Sequence, residues 1–469
     1  MTKIYLEERT KRRNLRQLRW AAFPVVLVAL ATQLEAQSPL LSGINPMGDP
    51  RGGFQLYGIS GFAGWESVVS PQGGGYYLPA TAGLHGDEIL GAGASAGWSR
   101  RSQKSNLSII YSANYQRQIR YSNLNALSQV LSLNASRHIG AKWDLSFSGT
   151  AGDSTYDQML FSPTLFSSLT AVPATFEDLA SAVLAGQYNN NQLASLLTGA
   201  PMIDSPSRTL LFGDRVFVSS AGTSLSYAHS QRLTISASAT GSYSEHLPNG
   251  GGQTAPQYIY LLPHAMEASA GINVSYALTP RTRIGVDVSG SRGFSHIQDS
   301  YTSYGTAFVS RKMGQRWFAQ VHGGGGFVTY VNTKYAGTRG TTPVFGGSLG
   351  FKTYAHSFIV ESDQTLSQGY GAGASDTIMT SGAWHWWRPG HSWGLNSMYT
   401  AQRFSGGAFG NLSGWRASAG MTRRLGGHMV LETAYTYASF SSSSPLNPYK
   451  SAQSAVRLSV MWTPQAERR

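Results

Sequence analysis

From Phe54 onward the chain runs in stretches where apolar and polar residues alternate one for one, and two kinds of connection take turns between them. One kind is short, basic and free of acids. Its eight examples are Trp98 to Ser105, Arg137 to Lys142, Ala228 to Arg232, Ala277 to Arg283, Ser310 to Arg316, Lys352 to Ser357, Trp387 to Ser392 and Arg423 to His428. Together they hold 15 Lys and Arg and no Asp or Glu. The other kind is longer. It covers Glu66 to Asp87, Arg117 to Leu124, Ser154 to Asp214, Glu245 to His264, Gly293 to Thr302, Thr329 to Thr342, Ser367 to Asp376, Phe404 to Leu412 and Ser439 to Lys450. Period two marks strands with one apolar and one polar face. A soluble sandwich shows the same alternation but has no reason to sort connection lengths by parity. A closed up-and-down barrel that crosses a membrane does, because its two rims face different compartments.

Eight short and nine long connections predict 18 antiparallel strands over residues 54–463, with both ends on the short-turn side. Merging or splitting a hairpin shifts the count to 16 or 20. Leu107, Ile109, Tyr111, Ala113 and Tyr115 against Ser108, Ser112, Asn114 and Gln116 show the pattern, as do Leu233, Ile235, Ala237 and Ala239 against Thr234, Ser236, Ser238 and Thr240. Composition agrees. Charged residues make up 13% of the chain, whereas soluble domains carry about 25%. After the first 36 residues, no stretch offers the roughly 20 apolar residues that a membrane helix needs. Cysteine is absent, which excludes disulfides, thiolate metal sites and Cys nucleophiles.

Residues 1–36 read as a secretory signal peptide. Lys3, Arg9, Lys11, Arg12, Arg13, Arg16 and Arg19 precede an apolar run from Trp20 to Ala31, and Leu34-Glu35-Ala36 offers a cleavage site, with Ala31 as the alternative. Residues 37–53 then form a periplasmic lead-in and 464–469 a tail. Aromatic residues Trp98, Trp143, Tyr276, Trp317, Trp386, Trp387, Trp393 and Trp462 cluster by the short turns and the last strand, as an interfacial girdle requires.

The whole pattern resembles bacterial outer-membrane β-barrels of porin type. The final strand, with Val456, Leu458, Val460 and Trp462 in one phase, is similar to their C-terminal recognition strand, although Thr463 to Arg469 follow it. The resemblance is architectural and spans essentially everything after the leader. It implies periplasmic short turns, extracellular long loops, outer-membrane lipid around the barrel and the barrel assembly machinery as a partner.

Residues 154–214 are too long for a plain turn. Phe176, Leu179, Ala180, Val183 and Leu184 fall at helical spacing, Thr175 and Asp178 suggest a capping box, and Gly186 a stop. A second short helix fits Asn191 to Thr198. The expectation is a small helical insertion in one extracellular loop, capping the barrel in preference to plugging it.

Nothing in the sequence builds a catalytic centre, a metal set or a cofactor site. Gly93-Ala94-Ser95-Ala96-Gly97 fits G-x-S-x-G but lies in a strand pattern, not at a strand-to-helix turn. Gly152-Asp153-Ser154 and Gly369, Gly371 and Gly373 read as loop, and His385 and His391 as girdle histidines. If the apolar row faces lipid, strand phase turns Glu267, Asp287, Gln320, His322, Glu361, Asp363, His385, Asn396, Arg416, Glu432 and Arg457 inward. Among these, Glu361, Asp363, Arg416, Glu432 and Arg457 are the candidate lumen-lining residues. Arg416, Glu432 and Arg457 fall on consecutive strands and predict a cross-strand charge ladder, read either as a selectivity patch or, with somewhat more weight, as a structural brace.

The net charge of +13 does not point to nucleic acid. The leader holds seven basic and three acidic residues, so the remainder carries +9, and without its 15 basic turn residues it is net −6. The basicity marks one rim. The functional expectation is passive passage of small polar solutes or ions through a Ser- and Gly-rich lumen. The alternatives are a non-pore adhesive barrel that binds partners or saccharide through its long loops, or an exopolysaccharide export barrel.

Overall fold

A computed structural model of the chain describes residues 53–67, 86–102, 104–120, 125–155, 215–247, 264–295, 298–333, 340–353, 355–368, 374–387, 393–405, 411–425, 428–443 and 448–462. The leader, the lead-in, the tail and the expected helical insertion lie outside these residues.

The described chain is all strand and turn. The first six strands are β1 (Gly53–Glu66), β2 (Asp87–Arg101), β3 (Ser105–Gln118), β4 (Ala126–Ile139), β5 (Trp143–Thr155) and β6 (Arg215–Ala228). The next six are β7 (Leu233–Leu247), β8 (Ala265–Thr279), β9 (Thr282–Ser295), β10 (Gln298–Met313), β11 (Trp317–Thr333) and β12 (Gly340–Lys352). The last six are β13 (His356–Gln368), β14 (Ala374–Trp387), β15 (Trp393–Ser405), β16 (Leu412–Arg424), β17 (Met429–Ser443) and β18 (Pro448–Trp462). Each strand pairs antiparallel with its sequence neighbours, and β1 pairs with β18 from Ile59 opposite Trp462 to Glu66 opposite Ala455. The sheet is therefore a closed 18-stranded barrel, and closure removes the unpaired edges that an open sheet would present.

The eight short connections all separate strands as expected, and three of them are closed by a local hydroxyl contact. Ser102, Ser230 and Thr353 each accept, through the side-chain oxygen, the backbone N–H three residues on, at 3.0 Å. Hydroxyl residues stabilise turns in this way. Gly140 and Gly314 adopt φ of 65° and 67° in two of the turns, a region that side-chain-bearing residues rarely enter.

The long connections depart from expectation at three places. Strands β9 and β10 leave only 296–297 between them, and β17 and β18 only 444–447. Pairing continues past Gly293 and Thr302 because Ser295 and Gln298 still extend the ladder toward the rim. The 369–373 connection is also no longer than the 388–392 turn, so parity sorts connection length at the other six loops but not at these three.

Two faces of opposite chemistry result. Leu131, Ile272, Val286, Val288, Val321 and Leu458 stand exposed on the outer row, while Ser60, Ser132, Ser148, Ser310, Gln320 and Glu361 are buried on the inner one. The girdle forms in part. Trp143 stacks on Tyr227 at 4.5 Å and Trp317 on Phe351 at 4.3 Å, each pair cross-strand beside a short turn. Trp393 is buried instead, edge-on to Trp386. Near mid-strand, Tyr399, Trp415 and Tyr437 form a second outer row.

Candidate functional site

The interior wall is built from cross-strand rungs, and one rung is polar across six strands. Gln320 on β11 is level with Ser348 on β12, Ser348 with Glu361 on β13, and Glu361 with Ser381 on β14. The row continues through Thr400 on β15 to Arg416 on β16. All six side chains are buried, and Glu361 is 1% exposed. Ser381 donates its hydroxyl to Glu361 Oε1 at 2.8 Å. A carboxylate at that depth is tolerated only with hydrogen-bond donors beside it. Ser381, level with it, is the donor that the register supplies.

One register step away, a second contact spans three strands. His322 Nε2 on β11 lies 3.0 Å from Asp363 Oδ1 on β13, although β12 runs between them. Gly346 of β12 is level with both. A Cβ on it would stand 2.7 Å from the Asp363 carboxylate and 2.8 Å from the His322 ring. The missing side chain is what lets the pair meet. Nearby, Asn273 Nδ2 donates to Asp287 Oδ2 at 3.4 Å.

Glycine does the same for aromatic rings. Phe62, Phe308 and Phe318 point inward and are buried, each laid over a glycine of the adjoining strand: Gly91, Gly285 and Gly350. A Cβ at any of the three would run into the ring. The Arg457 guanidinium lies 3.6 Å from the Phe62 ring centroid, a cation–π contact. In addition, β13 comes against β9 and β10, which are not its sheet neighbours. The Tyr330 hydroxyl of β11 donates to the Ala374 carbonyl of β14 at 3.3 Å. The wall from β9 to β14 thus curls tightly, and its inner side chains close on one another.

The strands leading into it differ, with an overlap at β9 and β10. On β5 to β10 the inner row pairs hydroxyl with hydroxyl: Ser146 with Ser224 at 2.6 Å, Thr150 with Ser220 at 2.8 Å, Thr240 with Ser269 at 2.5 Å and Ser291 with Thr302 at 2.7 Å. Each pair is level in the register. Ser238 and Thr240 remain exposed on this inner face.

The five candidate residues all stand on the inner rows. Glu361 and Asp363 belong to one cluster on β13. The three-residue charge ladder does not form. Arg416 is level with Ala438 on β17, whereas Glu432 is level with Thr422 on β16. Six residues of strand separate the two rungs, about 20 Å. Glu432 and Arg457 are diagonal neighbours, since Glu432 faces Ser459 and Arg457 faces Ala434. His385 is buried on the inner row, not in the girdle. Gly93 to Gly97 and Gly152 to Ser154 lie within β2 and β5, and Asp153 Oδ1 accepts the Gln129 N–H. Gly369, Gly371, Gly373 and His391 lie outside the described residues.

Sequence reading missed the rung partners Ser348, Ser381 and Thr400, the gap at Gly346 and the rings on glycine. Only the hydroxyl rows carried a readable signal, as Ser and Thr at every second position of β5 and β7.

No family model matches this chain, and no curated protein matches it. Among solved structures, it is similar to Pseudomonas aeruginosa OpdK, crystallised with vanillate, at 11% identity with a TM-score of 0.40, covering 88% of this chain and 98% of that one. Pseudomonas aeruginosa OccK2 (OpdF), in complex with glucuronate, is similar at 10% identity and a TM-score of 0.41, covering 88% and 98%. The FrpB iron transporter from Neisseria meningitidis is similar at 9% identity and a TM-score of 0.37, covering 90% of this chain and 83% of that one.

Proposed function

We propose that the chain is a porin-like channel of a bacterial outer membrane through which small polar solutes or ions diffuse passively. The observation that carries this reading is a sheet closed on itself with aliphatic side chains exposed outside and hydroxyl, amide and charged side chains inside. In a membrane every backbone polar group must be satisfied within the protein, and a closed barrel is the β solution to that demand. The exposed outer row then meets lipid and needs no protein partner. The polar inner row replaces part of a solute's hydration.

On this reading residues 1–36 direct export, the barrel assembly machinery receives the last strand, and the basic short turns face the periplasm. There the anionic headgroups of the inner leaflet attract them. No step calls for a cofactor or a catalytic group.

The test is conductance. Purified protein refolded into a planar bilayer should produce stepwise current in potassium chloride. Bilayers that stay silent at every voltage would remove the channel reading and favour an adhesive barrel acting through its long loops.

A further inference from the structure

The outer face of β8 and β9 is apolar over most of its height and meets a cation near the long-loop end. We infer that this cation, Arg292 on β9, binds a phosphate of the glycolipid in the outer leaflet, which rests on the outer-membrane reading above.

The outer row of β9 runs Ile284, Val286, Val288, Gly290, Arg292 and Phe294. Level with it on β8 stand Tyr276, Val274, Ile272, Ala270, Ala268 and Met266. Arg292 lies eight residues from Ile284, about 27 Å along the strand and roughly 20 Å of height once strand tilt is allowed for. With Tyr276 and Ile284 at the lower interface, Arg292 falls near the top of an apolar band about 25 Å tall. Its guanidinium leans further toward the rim, 4.1 Å from the ring centroid of Phe294. A long cationic side chain at that height reaches the headgroups while its stem stays against apolar surface.

The guanidinium is held in place but not satisfied. Tyr301 of β10, level with Arg292, brings a second ring centroid to 4.8 Å. Aromatic rings attract the charge, yet they leave the N–H donors at its edge unused. Arg292 Nε is buried without a hydrogen-bond partner, and the guanidinium forms no hydrogen bond or ion pair among the described residues. A planar fork of donors fits phosphate. At headgroup height the anions at hand are lipid phosphates.

An acid stands nearby without neutralising it. Asp299 of β10 is level with Phe294, one register step closer to the rim, and makes no ion pair with Arg292. A divalent cation shared between carboxylate and phosphate accommodates both. The same order, arginine below and acid above, recurs twice on the outer row. Arg117 of β3 lies one step below Glu88, and Arg403 of β15 one step below Asp376. Neither has a ring over its guanidinium among the described residues. Arg292 is therefore the built site, and the other two are comparators for surface charge alone.

The experiment first floats the purified protein with phosphatidylcholine vesicles. It then counts, by native mass spectrometry in magnesium-containing buffer, retained diphosphorylated lipid A against the same lipid stripped of both phosphates. The unaltered protein should retain the phosphorylated form about fivefold better, on the order of one charge-assisted hydrogen bond. Arg292→Gln should float as well as the unaltered protein and lose most of that preference, whereas Arg117→Gln should keep it. Equal retention of the two lipids by the unaltered protein overturns the site, whatever the variants do. An undiminished preference in Arg292→Gln, or an equal loss in Arg117→Gln, overturns it too. Unaltered protein that does not float overturns the membrane reading and the site with it.

Discussion

The inner faces of β5–β8 and β11–β16 are made by the same rule, one polar residue in every two, and come out as different materials. On β7, Ser238 and Thr240 stay exposed and uncharged. On β13 and β14, Glu361 and Ser381 are packed out of reach, with rings and glycines filling the space around their rung. The contrast teaches that charge on an inner row is no measure of what a solute meets. Depth decides. A buried carboxylate in a hydrogen-bonded rung is part of the wall, and removing its surroundings should cost stability before it alters transport. An exposed hydroxyl contributes little to stability and is free to contact a solute.

The largest effect should come from the packed side. Phe318 is 1% exposed and fits against Gly350. Phe318→Ala leaves a cavity in a wall with few ways to collapse, and should cost about 3–5 kcal/mol. Urea unfolding from lipid vesicles, followed by Trp fluorescence, reads this as a lower midpoint. A midpoint within error of the unaltered protein would show that the β9–β14 wall is not a packed core.

Gly346→Val should follow, at roughly 3 kcal/mol, because it drives a side chain between His322 and Asp363 and leaves a poorly solvated charge. His322→Ala should lose less alone, and combining the two should add little, since both break one contact. Additive losses in the same unfolding assay would mean that the pair does not act as a unit.

How far this contrast was legible beforehand depends on the kind of relation. Relations within one strand were readable: phase placed Glu361, Asp363, Arg416, Glu432 and Arg457 on inner rows, and turn parity counted the strands. Relations between strands were not. The expected ladder of Arg416, Glu432 and Arg457 needed a register that one sequence cannot supply, and hairpin geometry set Arg416 six residues from Glu432's rung. The His322–Asp363 contact is further from view still, because it skips a strand and depends on a residue with no side chain. Strand ends were also misjudged where polar residues such as Ser295 and Gln298 extend the ladder beyond the apolar stretch. Nothing in composition separates a Ser that pairs in a strand from a Ser in a loop.

Arg457→Gln tests a position between the two walls. Its guanidinium covers the Phe62 ring, a contact worth about 0.5–2 kcal/mol. The loss should appear as a modest drop in unfolding midpoint, and the ratio of potassium to chloride permeability in planar bilayers should not move. The same holds for Glu432→Gln, its diagonal neighbour. A changed ratio in either variant would make these residues a selectivity patch, and the packed side would then reach the solute after all.

The smallest effect belongs to the hydroxyl wall. Ser238 is exposed on the inner face, level with Gly271 on β8, so Ser238→Ala removes no ring contact and opens no cavity. Exposed substitutions of this kind change stability by about 0.5 kcal/mol or less, and the unfolding midpoint should stay where it is. Unfolding that shifts as far as in Gly346→Val would place Ser238 in a packed region and erase the distinction between the walls. With the midpoint unmoved, any change in solute entry caused by Ser238→Ala arises from contact with the solute, because the barrel around it is unaltered.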